Sequence, residues 1–235
     1  MARRIRNDLA QYDDLVDHWW RPDGEFAALH WLAEARGRLI PQPARPNAVL
    51  LDIACGGGLM AGRVPGGYRH VGLDRTASAL HLAAAHGLTA VQGDVVALPF
   101  ADACADIVLA GEILEHVTDL DAVIGELARV LRPGGTIVLD TINATWWARF
   151  SLVTVGERLP GGPPRLIHDP ALFVRPARLR ALFLRHGILL VVHGLRPRGP
   201  DYLQFLLRDR ARPVRMVPTR SLAGVYQGVG RKAME

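Results

Sequence analysis

Glycines and carboxylates recur in this chain where a bound molecule, rather than a packed core, would need them. Asp52-Ile53-Ala54-Cys55-Gly56-Gly57-Gly58 follows an apolar run and leads into a helix-like pattern, so backbone free of side chains is offered to a ligand. Asp74 closes a second apolar run and Gly93-Asp94 a third. An acid at the end of the strand after a glycine-rich turn is where doubly wound folds accept hydrogen bonds from a ribose diol. A nucleotide-like ligand is therefore expected among Asp52, Gly56, Gly58, Asp74 and Asp94. The spacing departs from G-x-G-x-x-G, and the pattern that follows breaks at Pro65-Gly66-Gly67, which makes a pyrophosphate the weaker reading.

Glu112, Glu115 and His116 form a second group, spaced i, i+3 and i+4. On a helix they share one face, and two carboxylates with an imidazole suit Mg2+ or another divalent cation that keeps positions open for water and substrate. Acids near a helix start also complement its dipole, and that reading stands beside the first. His168-Asp169 sets an imidazole next to a carboxylate; with His116 these are candidates for acid-base work, although Asp169 equally suits the cap of a helical turn.

The elements that must position these groups alternate short aliphatic runs with helical patterns, the signature of parallel strands joined by crossover helices. Strands are expected over Ala48–Ala54, Arg69–Asp74, Leu88–Asp94, Ala105–Gly111 and Thr136–Ile142, with later strands near Ile188–His193 and Ser221–Gly230. Leu120, Val123, Ile124, Leu127, Val130 and Leu131 recur at helical spacing before Arg132-Pro133-Gly134-Gly135 turns the chain. The fold class is α/β, a Rossmann-like, mostly parallel sheet of seven strands with a helical cap before it and an insert after the fifth strand. It forms a single domain over residues 1–235: a cap at 1–45, a ligand-binding core at 46–145, an insert at 146–175 and a C-terminal part at 176–235 that completes the sheet. The insert carries Trp146, Trp147, Phe150, Leu152, Val153, Val155 and Leu159 beside Arg149, Arg158 and Arg165. That composition suits a lid over 146–164 that touches a membrane surface or a greasy substrate, with a core helix as the alternative.

Composition narrows the function classes. The formal charge is +5, carried almost wholly by arginine because Lys232 is the sole lysine. The arginines are spread along the chain without the aromatic interleaving of an RNA-binding motif, so no nucleic-acid partner is expected. Cys55 and Cys104 form no metal-ligand spacing and no disulfide framework, which fits a reducing cytoplasm. No apolar run is long enough to span a bilayer, and the N-terminal residues lack the apolar stretch of a signal peptide.

LDIACGGG, VGLD, the Gly93-Asp94 pair and LRPGG, taken together over Val49 to Ile142, resemble the class I S-adenosylmethionine-dependent methyltransferases. A narrower resemblance spans Trp19 to Pro176. His18-Trp19-Trp20, Gly24-Glu25-Phe26, Leu29-His30, Gly111-Glu112-Ile113-Leu114-Glu115-His116-Val117 and His168-Asp169 with Phe173 and Pro176 are similar to the ubiquinone-biosynthesis O-methyltransferase family, which methylates polyprenyl catechols and quinols. The resemblance implies S-adenosylmethionine as methyl donor, Arg36 on its carboxylate, Ala54 and Gly111 as backbone contacts and Asp74 on the ribose. It also implies magnesium through Glu112, Glu115 and His116, and a small aromatic or prenylated substrate methylated at a phenolic hydroxyl. Ala54 replaces the glycine common in the family, and the tail beyond Arg196 lacks the family's Asn- and Tyr-rich ending. Methylation of an amine and a non-catalytic binding role are the alternatives; the joint presence of Glu112, Glu115, His116 and His168 argues against the second.

Overall fold

Strands buried on both faces read as unbroken aliphatic runs, which is what a parallel sheet flanked by helices requires. β1 (Ala48–Ile53), β4 (Ala105–Gly111) and most of β5 (Leu131–Ile142) are of this kind. β2 (Tyr68–Asp74) and β3 (Thr89–Gln92) extend the sheet on one side. On the other lie β6 (Ile188–Pro197), β7 (Met216–Thr219) and β8 (Val225–Lys232). In this computed structural model, which describes residues 5–234, the sheet order is β3-β2-β1-β4-β5-β8-β6-β7. β1 to β5 are parallel and β8 runs antiparallel between β5 and β6. Residues 1–4 of the expected cap and residue 235 lie outside the described residues.

The sheet thus has eight strands where seven are expected, and the addition is the short edge strand β7, paired with the far end of β6. Pro218 within it hides the strand from a pattern reading, yet an edge tolerates a residue that cannot donate to a ladder. Helix α7 (Gly199–Leu207) is hidden in the same way: Gly199-Pro200 reads as a break, whereas proline in a first turn lacks only an N–H that has no partner there. The last strand starts at Val225, not near Ser221. The remaining helices are α1 (Gln11–Asp14), α2 (Ala27–Gly37), α3 (Ala77–Ala85), α4 (Leu120–Val130), α5 (Trp146–Ala148) and α6 (Pro176–Arg185). The cap is therefore in pieces, with a 3-10 turn at Val16–His18 between α1 and α2.

The segment after the glycine-rich loop is not the helix that its pattern suggests. Gly56, Gly58 and Gly62 have φ of 51°, 80° and 71°, left-handed values that interrupt an α-helix, and the chain proceeds through successive turns such as Gly58 N to Cys55 O and Ala61 N to Gly58 O. These glycines serve packing as well as ligand approach. A Cβ on Gly56 or Gly57 would lie 2.2 or 2.6 Å from the Trp19 ring. Trp20 Nε1 donates to Gly57 O at 2.8 Å, and its ring stacks on His86 at 3.7 Å. The cap is thereby pinned onto the loop that ends β1, and Trp19 is buried among Tyr12 and Phe26. Trp19→Ala is expected to lower unfolding free energy by about 3–5 kcal/mol, the cost of removing a buried large aromatic, as read by denaturant titration.

Candidate active site

In open α/β sheets ligands gather where the strand order reverses, beyond the carboxyl ends of the strands. Here that point lies between β1 and β4, and a cavity of about 330 Å³ opens there. Asp52, Ala54 and Gly56 line it from β1 and its loop, Asp74 from the end of β2, Gly93 and Asp94 from beyond β3, and Gly111 from the end of β4. Asp74 Oδ2 accepts from Gly56 N and Oδ1 from Thr76 N, both at 2.9 Å. Burial raises its carboxyl above the ordinary range, and those backbone donors oppose the rise. Ala54 occupies a left-handed conformation, φ 57°, the reason a glycine is at home there. Gly58 does not line the cavity; it lies under α3, where a Cβ would meet the Ala83 Cα at 2.8 Å.

Arg36 reaches this cavity from α2, but most of its guanidinium is engaged in the interior. Nε donates to Asp140 Oδ2 at 2.8 Å and Nη2 to Asp140 Oδ1 at 2.6 Å, and both residues are buried. Burial works against the charge on Arg36, and the Asp140 carboxylate more than offsets it. Nη1 faces only the weak acceptor Met60 Sδ, at 3.6 Å, so its donors remain the part of the group suited to an anionic ligand. Gly111 is needed for this arrangement: a Cβ there would lie 1.9 Å from Arg36 Cζ.

Beyond Gly111 the chain does not enter a helix. Glu112 has φ 52°, residues 113–118 form turns, and α4 begins only at Leu120. The shared helical face expected of Glu112, Glu115 and His116 is thus absent, because a left-handed residue breaks the helical repeat at its first position. What the turns bring together is different. One ligating atom each of Glu115, His116 and His168 lies within 4.8 Å of the others, and all three side chains are buried. The two imidazoles are 5.1 Å apart and 22° from parallel. Glu115 Oε2 accepts from Thr141 Oγ1 at 2.7 Å. Glu112 lies close enough to Glu115 for each carboxyl to influence the other's proton affinity.

Electrostatics follow from burial. It lifts Glu115 to about 7 and Glu112 well above the carboxylate range, the latter also through the neighbouring charges of Glu115 and Asp140. It lowers His116 to about 4 and holds His168 well below the usual imidazole range, so both rings are neutral near pH 7. Glu112 Oε1, Glu115 Oε1 and His168 Nδ1 are buried without a hydrogen-bond partner. A buried site with three unused polar atoms is built to take something polar.

A second cavity of about 560 Å³ lies against the first, and Tyr12, Leu29, Glu112 and His116 line both. Its walls are otherwise largely apolar and come from α2, the insert and the antiparallel end of the sheet, including Phe26, Trp31, Leu152, Leu159, Ile167 and Met216. The insert is α5, a π-helical stretch Arg149–Val155 and a 3-10 turn Gly156–Arg158. It buries Ala148 and Val153, turns Trp147 and Leu159 to the cavity, and leaves Trp146 73% exposed and stacked on Phe150. It does both things the alternatives ask of it: Trp147, Leu152 and Leu159 line the second cavity, while Ala148 and Val153 pack with Ile142 and Phe173 in a small buried cluster.

Asp169 does not join the site. Its Oδ1 accepts from Ala171 N at 2.9 Å, closing a turn, and it lines neither cavity. Asp140, Tyr12 and Asn7 are site residues that sequence reasoning missed. Asp140 alone carried a signal, an acid inside the apolar run TIVLDTI at the carboxyl end of a parallel strand. Breaking the buried pair with Arg36→Met is expected to cost about 3–5 kcal/mol of stability, and Arg36→Met with Asp140→Leu to recover most of it, measured as a double-mutant cycle by chemical denaturation.

Comparison with known proteins places this geometry. Residues 51–139 match the family model described as a methyltransferase domain. The chain is 32% identical over 194 residues to the ubiquinone biosynthesis O-methyltransferase of Paraburkholderia phytofirmans, covering 79% of this chain and 83% of that protein. It is 34% identical to the protein of the same name from Pectobacterium atrosepticum, covering 73% and 76%. Its fold is similar to a solved S-adenosylmethionine-dependent methyltransferase of Thermotoga maritima, with a TM-score of 0.68 at 15% identity, covering 94% of this chain and 97% of that one. The glycine-rich loop, the acids at the strand ends and these relatives together establish that the chain belongs to the ubiquinone-biosynthesis O-methyltransferase family of S-adenosylmethionine-dependent enzymes.

Proposed function

We propose that this enzyme transfers the methyl group of S-adenosylmethionine to a phenolic hydroxyl of a catechol or hydroquinone carrying an apolar substituent, the class of acceptor that the names of its relatives suggest. The observation that carries the reading is the joining of two cavities of different character across Tyr12, Leu29, Glu112 and His116. The first takes the donor: Asp74 holds the ribose diol, Nη1 of Arg36 the carboxylate, and Asp52, Ala54, Gly56, Asp94 and Gly111 form its bed. The second takes the ring and its apolar substituent. Methyl transfer needs the sulfonium carbon and the acceptor oxygen in line, so the shared wall is where positioning acts.

The acceptor must lose a proton. The buried pair of Glu115, raised to about 7, and Glu112, which faces the shared wall, is the destination for it. His116 and His168, neutral through burial, are poor proton acceptors but good lone-pair donors. With Glu115 they fit a divalent cation: the three ligand atoms are close enough to surround one ion, and Glu115 Oε1 and His168 Nδ1 lack any other partner. Such a cation would lower the pKa of a phenol bound to it. Prolonged treatment with a chelator is expected to reduce kcat on a catechol at least about tenfold and added Mg2+ or Mn2+ to restore it, the loss typical of a disturbed metal site; undiminished turnover would rule the metal out. Asp74→Ala is expected to weaken S-adenosylmethionine binding by about 1.5–3 kcal/mol in calorimetry, the range for a hydrogen bond to a charged group. Methylation of amines but not phenols in a substrate panel would overturn the acceptor class.

No helix among the described residues is long and apolar enough to cross a membrane. The insert offers another kind of membrane contact: Trp146, Trp147, Phe150 and Leu159 are exposed, as are Arg149, Arg158 and Arg165 of the same segment, and Trp147 and Leu159 also line the acceptor cavity. An interfacial patch of aromatics and arginines would let a prenylated acceptor enter from the bilayer. The protein is expected to co-sediment with vesicles rich in anionic lipid and to be released by high salt, and Trp146→Ser with Trp147→Ser to abolish the binding.

A further inference from the structure

We infer that Asn7 is a positioning residue that holds His116 in its Nδ1–H tautomer and so presents the Nε2 lone pair to the wall shared by the two cavities. The argument is one of donor and acceptor identity. Asn7 Nδ2 donates to the His116 backbone carbonyl at 3.0 Å. A carbonyl only accepts, so the amide cannot be turned the other way. Its Oδ1 then faces His116 Nδ1 at 2.6 Å, and an amide oxygen only accepts, so Nδ1 carries the proton. In a neutral ring the remaining nitrogen, Nε2, is left bare. It stands 3.5 Å from the Tyr12 hydroxyl, on the residue that lines both cavities with it.

Position 7 suits asparagine for a second reason. Its φ is 59°, in the left-handed region that asparagine enters more readily than most residues, and its backbone N donates to Leu166 O at 2.9 Å. One side chain from the N-terminal segment thus grips both the backbone and the ring of His116, while its main chain is tied two residues before His168. His116 is buried, and what Asn7 decides is which of its two ring nitrogens carries the proton. Without it both tautomers become populated and the ring is free to rotate.

The inference rests on the role given to His116 above, and its test separates the two. In the full-length 15N-labelled protein with bound S-adenosylhomocysteine, long-range 1H–15N spectra near neutral pH report which His116 nitrogen is protonated, the resonances being identified by their loss in His116→Gln. Asn7→Gly removes the side chain while leaving the left-handed backbone unstrained, and Asn7→Asp keeps the accepting oxygen. Wild type is expected to show Nδ1 protonated and Nε2 bare. In Asn7→Gly a second tautomer appears and kcat falls about 10–100-fold with cofactor affinity unchanged, the usual effect of losing a partner that orients a functional histidine. Asn7→Asp restores the Nδ1–H tautomer and most of kcat. A wild-type ring protonated at Nε2, or an unchanged tautomer in Asn7→Gly whatever its kcat, would overturn the inference. Failure of the wild type to methylate any catechol or quinol would instead overturn the proposed function, because the tautomer comparison needs no acceptor.

Discussion

Arg36 leaves α2, crosses the place where Gly111 has no side chain, and ends against Asp140 in a bidentate ion pair closed off from water. The other parts of the site are set around this contact. Asp140 Oδ1 also accepts from Glu112 N at 3.1 Å, which helps hold the left-handed turn after β4, and Gln227 of β8 approaches Oδ2 at 3.4 Å. Three segments distant in sequence, the cap, the end of β4 and the antiparallel strand, therefore converge on one carboxylate. Desolvating two charges is costly and such a pair need not add net stability, but once formed it tolerates only one arrangement of its surroundings. What it supplies is register between the cap and the sheet.

The cap matters to chemistry because of what it covers. Trp19 lies on Gly56 and Gly57, Tyr12 stands between the two cavities, and Asn7 holds His116. A sheet of this class has its ligand crevice open at the strand ends; here helical turns roof it, and the buried carboxyl pair and neutral histidines are the electrostatic result. Low dielectric raises the carboxyls and lowers the imidazoles by the same physics, so proton affinity and lone pairs are both kept available near neutral pH.

The other end of the sheet builds the second cavity. β8 inserted antiparallel beside β5, with β6 and β7 beyond it, provides a wall that the parallel half could not, and α7 packs Phe205 against Trp31 of the cap at 4.9 Å. The π-helical insert completes the enclosure. Its exposed Trp146 and Phe150 form one stacked pair, so apolar surface is concentrated at one point of the rim.

Much of the parallel core was legible in the chain itself. Aliphatic runs of strand length, the helical repeat of Leu120 to Val130, and acids or glycines at strand ends are local patterns, and β4 falls where they place it, with Asp74 at the crevice. Residues of the first cavity were readable because backbone near a ligand demands glycine and strand ends demand few residue types. Those around the second cavity and the buried histidines were not. Glu112, Glu115 and His116 have helical spacing, but the left-handed backbone of Glu112 is imposed by contacts to Asp140 on another strand, and no local signal announces it. His168 enters the group from some 50 residues further along the chain, and Asn7 reaches His116 across 109 positions. Pairings of that length are decided by how the cap and the insert pack on the sheet: a residue's type limits the hydrogen bonds it can make, and only the tertiary structure chooses the partner.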